Sequence, residues 1–504
     1  MSLDPSTRPA PSGLDLLVVF PNNRVRAYGQ LAADVAAIAP PVQAGLTAAY
    51  VRKAGYDVKI LDADAENLDA AQTAKRVNEL NPRLVCLSTD SINSGDVTKM
   101  AAASETLSEM RKHAPGLKVV LEGVVPSAYP EKLLRTEGAD FVCQGEAYEP
   151  IVQLLKAVKD GRPETPIHGI WRRDGETVTS GERAEMAKKP DGLPFIAWDL
   201  LPVSKYRAHH WHCYDRLERR SPYASIYTNL GCPYTCTFCN VNVVAGKANF
   251  RPRSPENVVE EIDLLVKQYH VSNIRIVDNV FTIKMDLVEK LCDLIIQRDY
   301  DLNFWVYARV ETVRDLGVLK KMKKAGINWI AYGIEAAADN VRDAVDKHST
   351  QAVIDRAIEL TRQADISIVG NFIFGLPEDT QATMQKSFDM CRDYLFEFAN
   401  FYCAMAYPGT ELHNDVVKQP HVQLPTTWSG YGQYSYDCQP LPTATLTPRD
   451  VLRFRDEAWD IYFTDPKYLA LLEKRFGRPA ADFTRELTKI KLKRKLLEGS
   501  YSAS

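Results

Sequence analysis

The stretch Gly231-Cys232-Pro233-Tyr234-Thr235-Cys236-Thr237-Phe238-Cys239-Asn240 places three cysteines within eight residues, in the spacing C-x3-C-x2-C. A structural zinc site has four protein ligands, and no fourth cysteine or histidine lies close by in the sequence. Three thiolates on one short loop instead suit a 4Fe–4S cluster that leaves one iron open to another ligand. The apolar run at 224–230 predicts a strand, so the cysteines follow the first strand of a domain. Zinc binding, or cysteines without a ligand, are the alternatives.

Length and composition indicate a globular protein of several domains. The chain has 504 residues, too many for one ordinary core, so two or three domains are expected. Apolar residues make up 45% and charged residues 25%, which is typical of globular proteins. The net charge of −3 gives no basic surface, so we expect no nucleic-acid partner. No uninterrupted apolar run is long enough to span a membrane.

The N-terminal residues 1–13 lack the charged-then-apolar pattern of an export signal and predict a short disordered lead. The ten cysteines are too sparse for a disulfide framework. Without an export signal, we expect them to be reduced thiols in the cytoplasm. A reducing compartment is also what an exposed iron–sulfur cluster requires.

Residues 14–159 alternate short apolar runs with amphipathic segments. Five runs predict strands, at residues 14–20, 56–61, 84–88, 117–121 and 140–143. Helical patterns follow them, at residues 42–54, 70–80, 99–113, 131–135 and 149–158. This alternation predicts a doubly wound, Rossmann-like α/β domain, with a parallel sheet covered on both faces. Its ligand should lie at the carboxyl ends of the strands.

Small and polar residues stand where these strands end. They are Ser88, Thr89, Gly123, Gly145 and Glu146. No G-x-G-x-x-G follows the first strand, so the sequence does not favour a dinucleotide. The five residues are candidates for binding another ligand, although glycine and serine at strand ends can also serve only as tight turns.

Residues 160–222 connect this domain to the next. The run at 170–178 has an Asp-Gly pair between two short strand-like stretches and predicts a β-hairpin. A cluster of possible ligands follows at His209, His210, His212 and Cys213. Its spacing is not that of a known metal site, so a polar loop near the substrate is favoured over a metal site.

Residues 223–408 again alternate strands and helices, in six βα units. The strands are predicted at residues 225–228, 274–277, 304–309, 329–335, 367–374 and 399–405. Polar side chains stand at successive strand ends, at Asp278, Asn279, Arg309, Glu335 and Asn371. In βα barrels the functional residues gather at the carboxyl ends of the strands. The sequence therefore predicts a site at the same edge as the cysteine loop.

The C-terminal region, residues 409–504, predicts a small, mostly helical addition. It begins with an aromatic cluster: Trp428, Tyr431, Tyr434 and Tyr436, with Cys438. This cluster could form a lid that excludes water, or pack a small domain against the barrel. Helices are predicted at 449–463 and 467–476, and the basic tail at 489–495 predicts a solvated helix face.

The cysteine loop resembles the motif of the radical S-adenosylmethionine (SAM) enzymes in its spacing and in its flanking residues. That family has a six-unit partial TIM-type barrel, which the resemblance implies for residues 223–408. Segments at 277–281, 332–335 and 370–378 are similar to those around the family's SAM site. The first domain resembles the cobalamin-binding domain that is fused to many radical SAM proteins, and the Gly145-Glu146 turn is part of that resemblance.

The resemblance implies three cofactors and their binding residues. Cys232, Cys236 and Cys239 would hold a 4Fe–4S cluster. SAM would contact Phe238, Asp278, Asn279, Arg309, Glu335 and Asn371. Cobalamin would lie against the five strand-end residues of the first domain. The D-x-H-x-x-G motif is missing and residues 21–39 contain no histidine, so cobalamin should have no histidine as its lower ligand.

Over about residues 14–410, the chain resembles the cobalamin-dependent radical SAM methylases and the anaerobic magnesium-protoporphyrin ester cyclase. The resemblance implies that the cluster cleaves SAM to a 5′-deoxyadenosyl radical, which takes hydrogen from a substrate that methylcobalamin then methylates. A cyclase or rearrangement enzyme without net methyl transfer is the alternative. A methylthiotransferase is disfavoured, because Cys86, Cys143 and Cys213 do not match that family's N-terminal cluster set. A non-catalytic protein that senses cobalamin or iron would need no intact SAM site, so the cysteine loop and the later strand-end residues argue against that function.

The expected partners follow from this chemistry. We expect a small-molecule substrate, such as a precursor of a secondary metabolite, a tetrapyrrole or a lipid. An electron donor of the flavodoxin or ferredoxin type would reduce the cluster.

Overall fold

The computed structural model describes residues 13–32, 36–89 and 97–498. The disordered lead expected at residues 1–13 therefore lies outside the described residues, except for Gly13. The last six residues of the C-terminal region, 499–504, also lie outside them.

The N-terminal sheet has seven strands in the order β2-β1-β3-β4-β5-β6-β7. The strands are β1 Leu16–Phe20, β2 Val58–Asp62, β3 Leu84–Ser88, β4 Lys118–Glu122, β5 Phe141–Cys143, β6 Ile170–Asp174 and β7 Thr177–Thr179. The helices are α1 Arg24–Tyr28, α2 Val42–Lys53, α3 Ala70–Leu80, α4 Lys99–His113, α5 Val124–Ala128, α6 Pro130–Thr136 and α7 Tyr148–Lys159. The first five strands are parallel, as predicted. The order reverses between β1 and β3, which is where ligands of doubly wound sheets bind.

The hairpin of the connecting segment is part of this sheet. Strand β6 pairs antiparallel with β5, and β7 then forms the sheet edge. The hairpin therefore extends the first domain. Later residues of the connecting segment pack against the second sheet, since Trp198 and Tyr206 are fully buried in its core. Tyr206 also donates a hydrogen bond to Asp62 at the end of β2 (2.8 Å), which joins the two domains.

The second sheet has six parallel strands in the order β15-β14-β13-β12-β11-β8, as expected for six βα units. The strands from 223 onward are β8 Tyr223–Ile226, β9 Asn229–Leu230, β10 Arg251–Pro252, β11 Asn273–Ile276, β12 Asn303–Ala308, β13 Ile327–Glu335, β14 Ser367–Phe374 and β15 Phe398–Cys403. Strands β9 and β10 form a separate antiparallel pair that flanks the cysteine loop. The barrel helices are α8 Pro255–Tyr269, α9 Met285–Ile296, α10 Leu316–Lys324, α11 Asp339–Asp343, α12 Gln351–Gln363 and α13 Gln381–Tyr394.

The C-terminal region is mostly helical, with α14 Glu411–Val416, α15 Pro448–Thr464, α16 Pro466–Phe476 and α17 Arg478–Leu487. The prediction of a helix over the basic tail is wrong, because α17 ends at Leu487. Within that tail, Arg494 is buried and bonds to Asp456 instead of facing solvent. An ion pair buried between distant segments leaves no periodic pattern in the sequence. None of the described helices is long and apolar enough to cross a membrane.

Candidate active site between the two sheets

The cysteine loop lies between β9 and β10, at the carboxyl end of β8. Cys232, Cys236 and Cys239 all line one chamber of about 400 Å³. Backbone hydrogen bonds hold the loop from two sides. The Thr237 amide donates to Val345 O (3.3 Å), and Leu412 donates to Thr237 O (2.9 Å). The three thiols therefore face the same space from a fixed backbone.

Two of the three thiols lie in a buried environment that favours the protonated form. Burial raises the pKa of Cys232, and it raises the pKa of Cys239 to about 12. These thiols stay protonated until a metal displaces the protons. Among the described residues, no three His, Cys, Asp or Glu side chains are grouped so that they could hold a metal ion. A multi-iron cluster does not need such a group, because each thiolate binds a different iron.

Arg309 follows β12 and reaches the cysteine loop. Its Nη1 donates to Cys236 Sγ at 3.1 Å, and its Nε donates to Glu311 Oε1 at 2.9 Å. The guanidinium also lies 4.0 Å from the centre of the Tyr234 ring. These contacts hold a planar bidentate donor beside the sulfurs, where it could bind a carboxylate.

Glu335 ends β13 and forms a buried ion pair with Lys347, whose Nζ lies 3.0 Å from Glu335 Oε1. Both side chains line the chamber. Gly333 makes the pair possible, because a Cβ there would lie 2.4 Å from the Glu335 carboxylate and 2.8 Å from Lys347 Nζ. Glu335 also has a φ of +67°, which a non-glycine residue rarely adopts and which is common at functional sites.

Three other predicted SAM residues also line the chamber: Phe238, Asn279 and Asn371. Asn371 lies in β14, where its Nδ2 donates to Tyr332 O at 2.9 Å. Its Oδ1 accepts from Asn400 Nδ2, also at 2.9 Å. The amide pair of Asn371 and Asn400 therefore places hydrogen-bonding groups on the chamber wall.

Asp278 lies elsewhere. It does not line the chamber, and both of its carboxylate oxygens face the turn between β8 and β9. The carboxylate accepts hydrogen bonds from both Thr228 and Asn229, through backbone amides at 2.7 and 3.2 Å and through both side chains. Burial raises the pKa of Asp278 to about 6 against the effect of these bonds. Asp278 thus fixes the turn that leads into the cysteine loop.

A second cavity, of about 140 Å³, opens at the carboxyl ends of the N-terminal strands. We call it the cleft. Its walls include Gly123 and Gly145, which follow β4 and β5 with φ of +125° and +109°. Glu146 also lines it, but its carboxylate is already paired with Arg251 of β10 (2.5 Å) and accepts from the Ala187 amide (2.8 Å). The pair of Glu146 and Arg251 joins the two domains across the cleft.

Ser88 and Thr89 lie behind the wall of the cleft. Both are buried at the end of β3, and neither lines the cleft. Thr89 binds the Glu122 carbonyl through its amide and its hydroxyl, both at 2.9 Å. Glu122 itself lines the cleft, and burial raises its pKa to about 7.

The chamber and the cleft share a wall. Val241, Val277 and Asn279 line both cavities. Val241 follows the cysteine loop, while Val277 and Asn279 follow β11. Ligands in the two cavities would therefore face each other across these three residues.

The two cavities fit the groups that the sequence implies. The chamber joins three thiols to paired charges that suit an amino acid moiety, and the cleft offers a glycine-lined edge of a doubly wound sheet. Sequence reasoning missed Lys347 and Arg251, since a lysine in a loop and an arginine in a two-residue strand carry no motif. Of the histidine cluster, His209 and His210 line the chamber, whereas His212 bonds to Asn303 O (3.1 Å) in the core.

Known families match both halves of the chain. Residues 226–391 match the Radical SAM superfamily, and residues 30–155 match the B12 binding domain. Together the two matches span more than half of the chain. The chain is a radical SAM enzyme with a B12-binding domain. The resemblance of both domains is thereby confirmed, and with it the α/β fold.

Full-length relatives extend this similarity. The enzyme is 26% identical to an uncharacterized methyltransferase of Pyrococcus horikoshii, over 78% of this chain and 81% of the relative. It is 28% identical to the anaerobic magnesium-protoporphyrin IX monomethyl ester cyclase of Rubrivivax gelatinosus, over 80% of this chain and 70% of the relative. The solved structure of the methyltransferase TsrM from Kitasatospora setae, with cobalamin and a [4Fe-4S] cluster, covers 94% of this chain and 100% of its own at 18% identity. Its TM-score of 0.68 supports the shared fold.

Proposed function

We propose that this enzyme is a cobalamin-dependent radical SAM methyltransferase that acts on a small molecule. The observation that carries the proposal is the wall of Val241, Val277 and Asn279 that the chamber and the cleft share. A methyl donor in the cleft and a substrate in the chamber would meet there. When bound, the cluster and SAM would supply a radical that takes hydrogen from the substrate, and cobalamin would supply the methyl group.

The residues around the chamber would hold SAM and the cluster. Cys232, Cys236 and Cys239 would bind the irons. Arg309 could bind a carboxylate with two parallel hydrogen bonds, while the Glu335 carboxylate could accept from an ammonium group. Phe238, Asn279 and Asn371 would contact the rest of SAM. For Asp278 we propose a positioning role at the turn before the loop, because its acceptor oxygens are already used.

The cleft would hold cobalamin mainly through the backbone of its glycines and through the fit between its walls and the ligand. Gly123 and Gly145 allow close approach of the ring, and the pair of Glu146 and Arg251 fixes the facing domain. Ser88 and Thr89 would support this edge from behind. Cobalamin would have no histidine as its lower ligand. Among the described residues the cleft wall has no histidine, and residues 33–35 and 90–96 contain none in the sequence.

We further propose a cytoplasmic location and an electron donor of the flavodoxin or ferredoxin type. Both follow from the need to keep the cluster reduced. A cyclase or rearrangement reaction without methyl transfer is the second candidate, and the similarity to the magnesium-protoporphyrin ester cyclase favours it.

Isotope labelling separates the two candidates. The reconstituted enzyme would be incubated anaerobically with cobalamin, a reductant, CD3-labelled SAM and candidate substrates, followed by mass spectrometry. A methyltransferase gives a product that carries the CD3 group. A cyclase gives an unlabelled product that has lost hydrogen. Unlabelled products from every substrate that triggers 5′-deoxyadenosine release would overturn the methyltransferase proposal. A variant with all three loop cysteines changed to Ala controls for reactions that do not need the cluster.

A further inference from the structure

The chamber wall also contains aromatic rings. They include Tyr28, Trp305, Tyr307 and Tyr434. The Tyr28 and Tyr434 rings stack with centroids 5.8 Å apart and planes 16° apart. Trp305 and Tyr307 meet edge to face at 5.0 Å. The rings come from α1, β12 and the segment after residue 431, so three separate parts of the chain bring aromatic faces to one space.

Further contacts fix these rings in place. The Arg455 guanidinium lies 4.9 Å from the centre of the Tyr434 ring, and Arg275 lies 4.4 Å from the centre of the Trp305 ring. Both arginines are buried. A ring held in place by its neighbours loses little entropy when a flat ligand packs against it.

Tyr402, which also lines the chamber, keeps its hydroxyl group neutral. Burial, together with the nearby Tyr434, Tyr307, Tyr28 and Tyr407, raises the pKa of Tyr402 far above its usual range. Neutral phenols both donate and accept hydrogen bonds. The wall therefore suits a ring system with uncharged polar substituents.

The lysine and arginine side chains that line the chamber are Arg309 and Lys347, as far as the described residues go. Each is already paired with a carboxylate, Glu311 or Glu335, beside the cysteine loop. Residues 33–35 and 90–96, which flank wall residues in the chain, contain no Lys or Arg in the sequence. An anionic group among these rings would lose its hydration without reaching a lysine or arginine of the lining, since Arg275 and Arg455 pack against the rings and do not line the chamber.

We infer that the substrate is a planar aromatic or heteroaromatic compound without an anionic group, bound among the rings of Tyr28, Tyr434, Trp305 and Tyr307. This inference rests on the proposed function, because it takes the chamber to be the place where the substrate meets SAM. It is narrower than that function, since neither a methyltransferase nor a cyclase requires an uncharged aromatic substrate.

Three matched probes test the inference without knowledge of the natural substrate. They are 2-naphthamide, the anion 2-naphthoate and the saturated decahydro-2-naphthamide. Equilibrium dialysis would measure their binding to the full-length reconstituted enzyme with SAM present. We expect 2-naphthamide to bind at least about tenfold more tightly than both 2-naphthoate and the saturated amide. Equal or tighter binding of 2-naphthoate, or of the saturated amide, would overturn the inference.

Two tyrosines in one segment supply the matched variants. Tyr434 lines the chamber, whereas Tyr436 is 48% exposed and bonds to Glu498. We expect Tyr434→Leu to weaken 2-naphthamide binding about five- to tenfold, which corresponds to the loss of one aromatic contact. Tyr436→Leu should leave binding unchanged. Equal effects of the two substitutions would show that the probe binds outside the chamber and would contradict the inference.

The same binding assay separates this inference from the proposed function. It needs no turnover, so it can be repeated with the variant that lacks the three loop cysteines. Selective binding of 2-naphthamide without any methyl transfer would leave the inference standing and count against the methyltransferase. Methyl transfer to an anionic substrate, with no preference among the probes, would support the methyltransferase and reject the inference.

Discussion

The chamber and the cleft face each other across one wall but are built from different kinds of groups. The chamber presents side chains: three thiols, the Arg309 guanidinium and the buried pair of Glu335 and Lys347. The cleft presents the backbone at Gly123 and Gly145, with one ion pair between Glu146 and Arg251. The chamber therefore depends on what single side chains can bind. The cleft depends on the distance between two domains and on the absence of side chains at Gly123 and Gly145.

This difference predicts how the two regions respond to substitution. Each loop thiol and the Arg309 guanidinium hold a specific position in the chamber, so the loss of one should remove a function and leave the fold intact. The cleft should instead fail through geometry. A side chain that breaks the contact between domains should weaken cobalamin binding and stability together.

The largest effect is expected at the cysteine loop. Replacing any one of Cys232, Cys236 and Cys239 with Ala should reduce 5′-deoxyadenosine formation to background, because the loop provides no other thiolate for the iron. Chromatography of the quenched reaction measures the nucleoside, and iron content reports the cluster. The control is Cys292→Ala, which changes a buried thiol of α9 away from both cavities. This variant should keep both the formation of 5′-deoxyadenosine and the iron content. Reductive SAM cleavage by all three loop variants would refute the cluster site.

Asp278 tests whether a residue beside the chamber acts through the fold. Asp278→Asn removes one acceptor oxygen and turns a donor toward the donors of Thr228 and Asn229. We expect a loss of about 3–4 kcal/mol in unfolding free energy, since several buried hydrogen bonds are lost. Chemical denaturation measures this, and calorimetry measures SAM affinity. The exposed Asp286→Asn is the control. Unchanged stability with a large loss of SAM affinity would instead make Asp278 a direct ligand.

The sequence predicted the chamber better than the cleft for a physical reason. The three loop cysteines, Arg309 and Glu335 line the chamber with their own side chains, so residue type and position at a strand end were enough to predict that they lie together. Asp278 had the same signal, but its neighbours Thr228 and Asn229 use its oxygens. Only the folded structure shows that the turn at Thr228 and Asn229 takes up the Asp278 carboxylate that SAM was predicted to bind.

The cleft depends on contacts between distant parts of the chain. Glu146 meets Arg251 more than a hundred residues later, and no local pattern announces the pair. The fold class follows from the local alternation of apolar runs, and it was confirmed. The assignment of the hairpin at 170–179 to one sheet needed the tertiary pairing of β5 with β6.

The ion pair between the domains allows a matched test. Arg251→Met leaves the Glu146 carboxylate, only 10% exposed, without its partner, and should cost about 3 kcal/mol. Arg52 and Asp199 form a pair on the surface, with exposures of 43% and 54%, so Arg52→Met should cost less than about 1 kcal/mol. Denaturation measures both, and corrinoid absorbance measures cobalamin retention. Equal costs, or full cobalamin retention by Arg251→Met, would show that the cleft does not depend on this contact. The double variant Glu146→Gln with Arg251→Met should recover part of the loss.

The smallest effect concerns Glu122, which lines the cleft and whose pKa burial raises from 4.5 to about 7. Between these values the folded protein binds more protons than the unfolded chain, so its unfolding free energy falls as the pH rises. Glu122→Gln removes this dependence. The stability of the native protein relative to this variant should therefore fall by about 1–2 kcal/mol from pH 5.5 to 7.5, measured by urea denaturation. Glu79→Gln, on the exposed side of α3, controls for the loss of a carboxylate. A difference that stays flat, or that grows with pH, would mean that the cleft holds Glu122 charged.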